Sequence, residues 1–135
     1  MSLEPISNTS PLRYPGGKTR ARKTLLELLR SRFQTDQFTE VLSPFFGGGS
    51  FEFYLQEVLG YSVAANDKFT PLIGFWKAAK ERNADLVSAL RAVEVDKATF
   101  LQFREEVVAE TDLVEQAKKL FVINKKYSRK YNKRR

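Results

Sequence analysis

Apolar residues recur at Ala21, Leu25, Leu28, Leu29 and Phe33 with helical spacing, which predicts a helix over 18–33. Arg20, Arg22, Lys23, Arg30 and Arg32 are assigned to its opposite face. A polar connection over 34–38 leads into the β-prone run from Thr39 to Leu42, with a strand expected over 40–42. An amphipathic pattern over 50–59 ends at Gly60, a residue suited to a left-handed C-cap, and a second strand is expected over 62–65. Thr70-Pro71 opens another helix with proline in its first turn and Leu72, Ile73, Phe75, Trp76 and Ala79 inside. Phe75 and Trp76 read as core. A helix over 85–93 follows, and Asp96 and Asp112 are candidate N-caps for two more. The first of these carries Phe100, Leu101, Phe103 and Val107, the second Leu113, Ala117, Leu120 and Phe121. Residues 1–10 show no apolar period and read as a flexible lead. No internal repeat is visible.

Between the first strand and its helix lies Ser43-Pro44-Phe45-Phe46-Gly47-Gly48-Gly49-Ser50-Phe51. Strand, glycine loop and helix in that order bring backbone N–H groups up to a nucleotide-like ligand in α/β proteins. The expectation is that Gly47, Gly48 and Gly49 are glycine because a Cβ would hold the ligand away from the backbone. Eighteen residues after Gly49 the second strand ends in Asn66-Asp67. A carboxylate about 20 residues past such glycines is where these folds bond a ribose. Asp67 equally suits a plain capping role for the helix that opens near Thr70.

Composition narrows the chemistry. The chain's 135 residues fit one modest domain, and 42% hydrophobic residues, with eleven Phe and five Tyr, suffice for a core. The absence of Cys excludes disulfides, thiolate metal sites and any cysteine nucleophile, such as that of cytosine-C5 methylation. The absence of His removes the commonest general base and metal ligand. No run approaches the ~20 apolar residues of a membrane span, and the N-terminus lacks a signal-peptide pattern, so a cytoplasmic location is expected.

The net charge of +7 resides in residues 125–135, which hold seven Lys/Arg and no acid. The preceding 124 residues hold sixteen basic and sixteen acidic side chains and are neutral. Composition therefore defines no basic face on the folded part. Residues 125–135 read as a disordered end, with a phosphate-tracking arm interleaved with Tyr127 and Tyr131 as the functional alternative. The basic side of the first helix reads as a solvated face.

The residues upstream of the loop sharpen the picture. Pro11-Leu12-Arg13-Tyr14-Pro15-Gly16-Gly17-Lys18 resembles the N-terminal motif of the Dam-type (D12 class) adenine-specific DNA methyltransferases. Phe45-Phe46-Gly47-Gly48-Gly49-Ser50 resembles that family's S-adenosylmethionine loop, and Asn66-Asp67-Lys68-Phe69 its acidic second motif. The three stand in the family's order and spacing, and the resemblance extends over about 11–124. It implies an α/β fold: the N-terminal part of a Rossmann-like, S-adenosylmethionine-dependent methyltransferase domain with an appended helical segment. Further strands of the sheet would come from C-terminal sequence.

The resemblance implies a cofactor site of Tyr14, Gly17, Lys18, Phe45, Gly47, Gly48, Gly49, Asp67 and Phe69. Lys18 would meet the methionine carboxylate, a role favoured because a helix first turn is a poor place for a cation; a solvated lysine is the plain alternative. Tyr14 would lie beside the cofactor, or simply in the core. Phe45 and Phe69 would be walls, with Phe69 near the adenine ring. Ser43 departs from the family, which more often has Glu before Pro-Phe, and the departure is expected to weaken polar contacts around the loop.

Double-stranded DNA is the implied partner and the adenine N6 amino group the implied acceptor. The family's catalytic loop is of the Asp-Pro-Pro-Tyr type. The five prolines here are Pro5, Pro11, Pro15, Pro44 and Pro71, none adjacent to another, so the resemblance carries over no catalytic residue and no metal ligand. The expectation is a methyltransferase sequence, truncated or split, inactive by itself. Its rivals are a non-catalytic cofactor- or DNA-binding regulatory module, and one half of an enzyme whose second chain supplies the catalytic part.

Overall fold

The computed structural model describes residues 10–132, and for 126–132 the backbone alone. The elements run α1 (Arg22–Arg32), a 3-10 turn (Thr35–Gln37), β1 (Glu40–Ser43), α2 (Ser50–Leu59), β2 (Ser62–Ala65), α3 (Thr70–Glu81), α4 (Asn83–Ala92), α5 (Lys97–Glu106) and α6 (Leu113–Asn132). The chain divides between Asn66 and Asp67 into two compact units. The first is α/β and the second helical. The expected flexible lead lies, but for Ser10, outside the described residues.

In the first unit β1 and β2 pair in parallel, with Glu40, Val41, Leu42 and Ser43 opposite Ser62, Val63, Ala64 and Ala65. A parallel pair needs a crossover, and α2 supplies it. Leu26 of α1, Leu55 of α2 and Tyr61 form the buried centre, against which Leu29, Val41, Phe51, Tyr54 and Leu59 pack. The Tyr61 hydroxyl donates to the Thr35 carbonyl and so anchors the 3-10 turn. Side chains alternate across a strand. Val41 accordingly faces the core, while Leu42 is 71% exposed.

Both strands and α2 match the sequence reading closely, because Gly49 and Gly60 bound the helix. The Gly60 amide donates to the Gln56 carbonyl at 3.0 Å and closes its last turn. The first helix, expected from residue 18, starts at Arg22. Residues before it form turns, and the Lys18 amide is bonded to the Ser50 hydroxyl instead of capping a helix. Arg22, expected on the solvent side, lies with its guanidinium 5.0 Å over the Tyr54 ring.

In the second unit α3, α4 and α5 pack on α6. Leu72, Phe75, Ala78, Leu86, Phe103, Val107, Ala117, Leu120 and Val122 are buried, and Phe75 stacks on Phe121 with centroids 6.0 Å apart. Trp76 is half-buried and meets Phe75 edge to face. The two aspartate caps form as expected. Asp96 accepts from the Thr99 amide at 2.7 Å, and Asp112 from the Glu115 amide at 2.8 Å.

Lys119, 8% exposed at its side chain, lies between Glu106 at 2.8 Å and Glu110 at 2.5 Å and locks the α5–α6 corner. The buried Gln116 amide donates to the Val107 and Glu110 carbonyls. The helix α6 continues to Asn132, so the expectation of a disordered tail from residue 125 is corrected as far as that residue. Lys and Arg are good helix formers, and a helix C-terminus favours cations. Residues 133–135 of that expected tail lie outside the described residues. No helix among the described residues is long and apolar enough to cross a membrane.

Candidate functional site

The glycine loop leaves β1 at Ser43 and turns into α2 at Ser50. Two backbone bonds tie it to the strand ends: the Asn66 amide donates to the Ser43 carbonyl at 2.8 Å, and the Phe46 amide to the Asn66 carbonyl at 2.9 Å. Phe46 is buried and meets Phe53 edge to face at 5.6 Å. Phe45, its neighbour in sequence, is 85% exposed. The loop thus presents one aromatic ring outward and uses the other as its foundation.

Ahead of α1, the Gly17 amide donates to the Tyr14 carbonyl at 3.0 Å, closing a turn through Pro15 and Gly16. The Lys18 amide then donates to the buried Ser50 hydroxyl at 3.0 Å. That bond fastens the Gly-Gly-Lys motif to the first turn of α2. Tyr14 rests on the glycine loop: a Cβ on Gly47 would come 3.1 Å from its ring, and one on Gly48 3.0 Å from its Cβ. A Cβ on Gly49, where φ is +67°, would run into the rings of Phe46 and Phe53.

The sequence reading assigned these glycines to ligand approach. In the structure they make way for the protein's own rings, because Tyr14 covers one part of the loop and the Phe46–Phe53 pair another. Tyr14, Gly17, Lys18, Gly47, Gly48 and Gly49 are therefore brought together within the first unit.

Asp67 follows directly on Asn66 and opens the second unit. Its Oδ1 accepts from the Phe69 amide at 3.1 Å, a local bond that leads the chain into α3. That is the capping alternative realised, and one carboxylate oxygen suffices for it. Phe69 itself is partly exposed.

Lys18 Nζ donates to the Gly16 carbonyl at 2.6 Å and has no carboxylate partner among the described residues. The Ser43 hydroxyl, buried at the end of β1, donates to Glu52 Oε1 at 2.5 Å. The expectation that serine weakens the polar contacts there is thus offset by a carboxylate arriving from α2.

Sequence reasoning gave no role to Ser50, Glu52 or the backbone of Asn66. Ser50 carried a faint signal, a hydroxyl residue directly after the glycines. Glu52 carried another, an acid three residues past Gly49 at capping-box spacing, although it bonds Ser43 instead. No three His, Cys, Asp or Glu side chains converge as a metal site among the described residues.

A comparison with curated proteins finds no match. The family model described as D12 class N6 adenine-specific DNA methyltransferase matches residues 14–134, which takes in the Tyr14 turn, the glycine loop, Asp67 and all six helices. With the match spanning most of its length, the chain belongs to the D12 class of N6 adenine-specific DNA methyltransferases.

Proposed function

We propose that this chain is the cofactor-binding portion of a Rossmann-like methyltransferase that uses S-adenosylmethionine to modify the N6 amino group of adenine in double-stranded DNA. The observation that carries the reading is the seating of Tyr14 on Gly47 and Gly48, which unites two motifs distant in sequence at the C-terminal end of a parallel strand. Ligands of open α/β sheets bind at those strand ends. Partly exposed Tyr14 and strongly exposed Phe45 leave ring surface beside the loop for a nucleoside.

S-adenosylmethionine supplies a methyl group already activated by its sulfonium, which suits a chain without Cys or His. The roles assigned are binding roles. Backbone groups of Gly17, Gly47, Gly48 and Gly49 line the cofactor, and the Lys18 ammonium takes its carboxylate. Asp67 takes the ribose hydroxyls, with Phe45 and Phe69 as walls. Handling of the flipped adenine is assigned to sequence outside this stretch, because no paired prolines occur in it.

One observation supports a second reading, that of a half-enzyme completed by another chain. Parallel sheets are ordinarily covered on both faces, whereas this one has two strands and leaves Leu42 exposed. Calorimetry of the 135-residue protein with S-adenosylmethionine and S-adenosylhomocysteine tests the cofactor reading. Saturable binding of both is expected. Absence of binding by a folded sample overturns it.

A further inference from the structure

Glu52 differs from the carboxylates of the second unit. There Glu106 and Glu110 pair with Lys119, Glu115 with Lys118 and Asp85 with Arg82. Glu52 is half-buried in the first turn of α2, and no ammonium or guanidinium reaches either of its oxygens among the described residues.

Its one partner is the Ser43 hydroxyl, which holds Oε1 at 2.5 Å and leaves Oε2 without a hydrogen-bond donor. Removing an ionised carboxylate from water is unfavourable unless it is paired or bonded. One hydroxyl and the positive end of α2 offset only part of that cost. The usual local partner of a glutamate here, the N-cap amide, is already taken, since the Gly49 amide donates to the Phe46 carbonyl at 2.9 Å. The charge is therefore positioned but not answered. It stands between the end of β1 and the start of α2, the two ends of the glycine loop.

We propose that Glu52 is the counter-charge for a primary ammonium on the ligand of this loop, held in place by Ser43. The ligand class is a nucleoside carrying an amino-acid side arm, and the inference rests on the cofactor reading given above. A metal ion is a poor alternative occupant, because no cluster of three or more His, Cys, Asp or Glu forms among the described residues. Lys18, tied through its amide to Ser50 two residues before Glu52, carries the opposite charge. Together the two residues present a cation and an anion, the complement of a zwitterionic amino-acid group.

The test compares S-adenosylhomocysteine, which has the ammonium, with 5′-methylthioadenosine, which lacks the whole amino-acid arm. Glu52→Gln keeps the shape and an acceptor for Ser43 but removes the charge. By calorimetry it is expected to weaken S-adenosylhomocysteine at least about tenfold, the scale of a lost charge-assisted hydrogen bond, and to leave 5′-methylthioadenosine unchanged. Ser43→Ala, which retains the charge but frees it, is expected to weaken S-adenosylhomocysteine less and again to spare the truncated nucleoside.

Equal loss of both ligands in Glu52→Gln, or no loss of either, overturns the inference. So does a wild-type protein that binds the two nucleosides equally well, and in that case the cofactor reading survives. A folded wild-type protein that binds neither overturns both.

Discussion

The backbone amide of Lys18 donates to the side-chain hydroxyl of Ser50 at 3.0 Å, across 32 positions of sequence. A motif with no regular secondary structure is thereby fixed to a helix start, and the turn that holds Tyr14 and Gly17 is fixed with it. Ser50→Ala leaves the Lys18 amide without its protein acceptor. A loss of about 1 kcal/mol in stability is expected. Weaker binding of S-adenosylhomocysteine should accompany it, because Tyr14 and Lys18 lose their anchor. Urea unfolding and calorimetry on the same samples check both.

Gly49 and Gly60 share a left-handed backbone, with φ of +67° and +70°, but differ in surroundings. A Cβ at 49 meets two aromatic rings, whereas a Cβ at 60 meets nothing within 4 Å. Gly60→Ala is expected to cost about 1 kcal/mol from the backbone alone. Gly49→Ala adds overpacking, for a total of at least about 2 kcal/mol. Midpoints of urea unfolding measure the difference, and equal midpoints would refute the crowding.

Asp67 has two candidate duties, the Phe69 amide and a ribose. Asp67→Ala is expected to weaken S-adenosylmethionine by roughly 1.5–3 kcal/mol, the worth of a hydrogen bond to a charged group. A mutant that melts earlier yet binds normally would leave the bond to the Phe69 amide as its whole role.

Acid should loosen the second unit. Bonds from Lys119 hold the carboxyls of Glu106 and Glu110 below the ordinary glutamate value of 4.5, with Gln102 assisting the first and the Asp112 amide the second. Burial works against the Lys119 ammonium, but its bonds to Glu106 and Glu110 outweigh that and raise it. Carboxyls that are more acidic when folded contribute stability above about pH 4.5, and lose it as pH falls through their folded values. Thermal melts should therefore fall steeply below that pH. Lys119→Met should be less stable at neutral pH and show a shallower acid limb.

The 135-residue polypeptide is expected to transfer no labelled methyl group to adenine-containing duplex DNA, even at saturating cofactor. Positioning the amino nitrogen in line with the methyl group is worth several kcal/mol of barrier. The proline-flanked loop that does this in the family has no counterpart in the sequence. Activity abolished by Asp67→Ala in a preparation free of host enzyme would overturn this prediction.

What the sequence disclosed was what local rules encode. The glycine bounds of α2, the aspartate caps of α5 and α6 and the proline in the first turn of α3 were legible because each satisfies its own neighbours. The late start of α1 was not, because the acceptor for the Lys18 amide comes from another helix. The close seat of Tyr14 on Gly47 explains why three glycines occur together, and nothing in a glycine run says which ring will lie on it. The pairing of Ser43 with Glu52 was hidden for the same reason.

The parallel register of β1 and β2 bears on the order in which the first unit folds. Glu40 and Ser62 are 22 positions apart, and no hairpin can join them. Their ladder closes only after the intervening chain has contracted, and a ten-residue helix shortens it more than coil would. Leu55, buried under Val41, then belongs to the folding nucleus, and Leu55→Ala should slow refolding more than it speeds unfolding. The Ser43–Asn66 and Phe46–Asn66 bonds lie beyond that ladder, so the glycine loop takes its shape last.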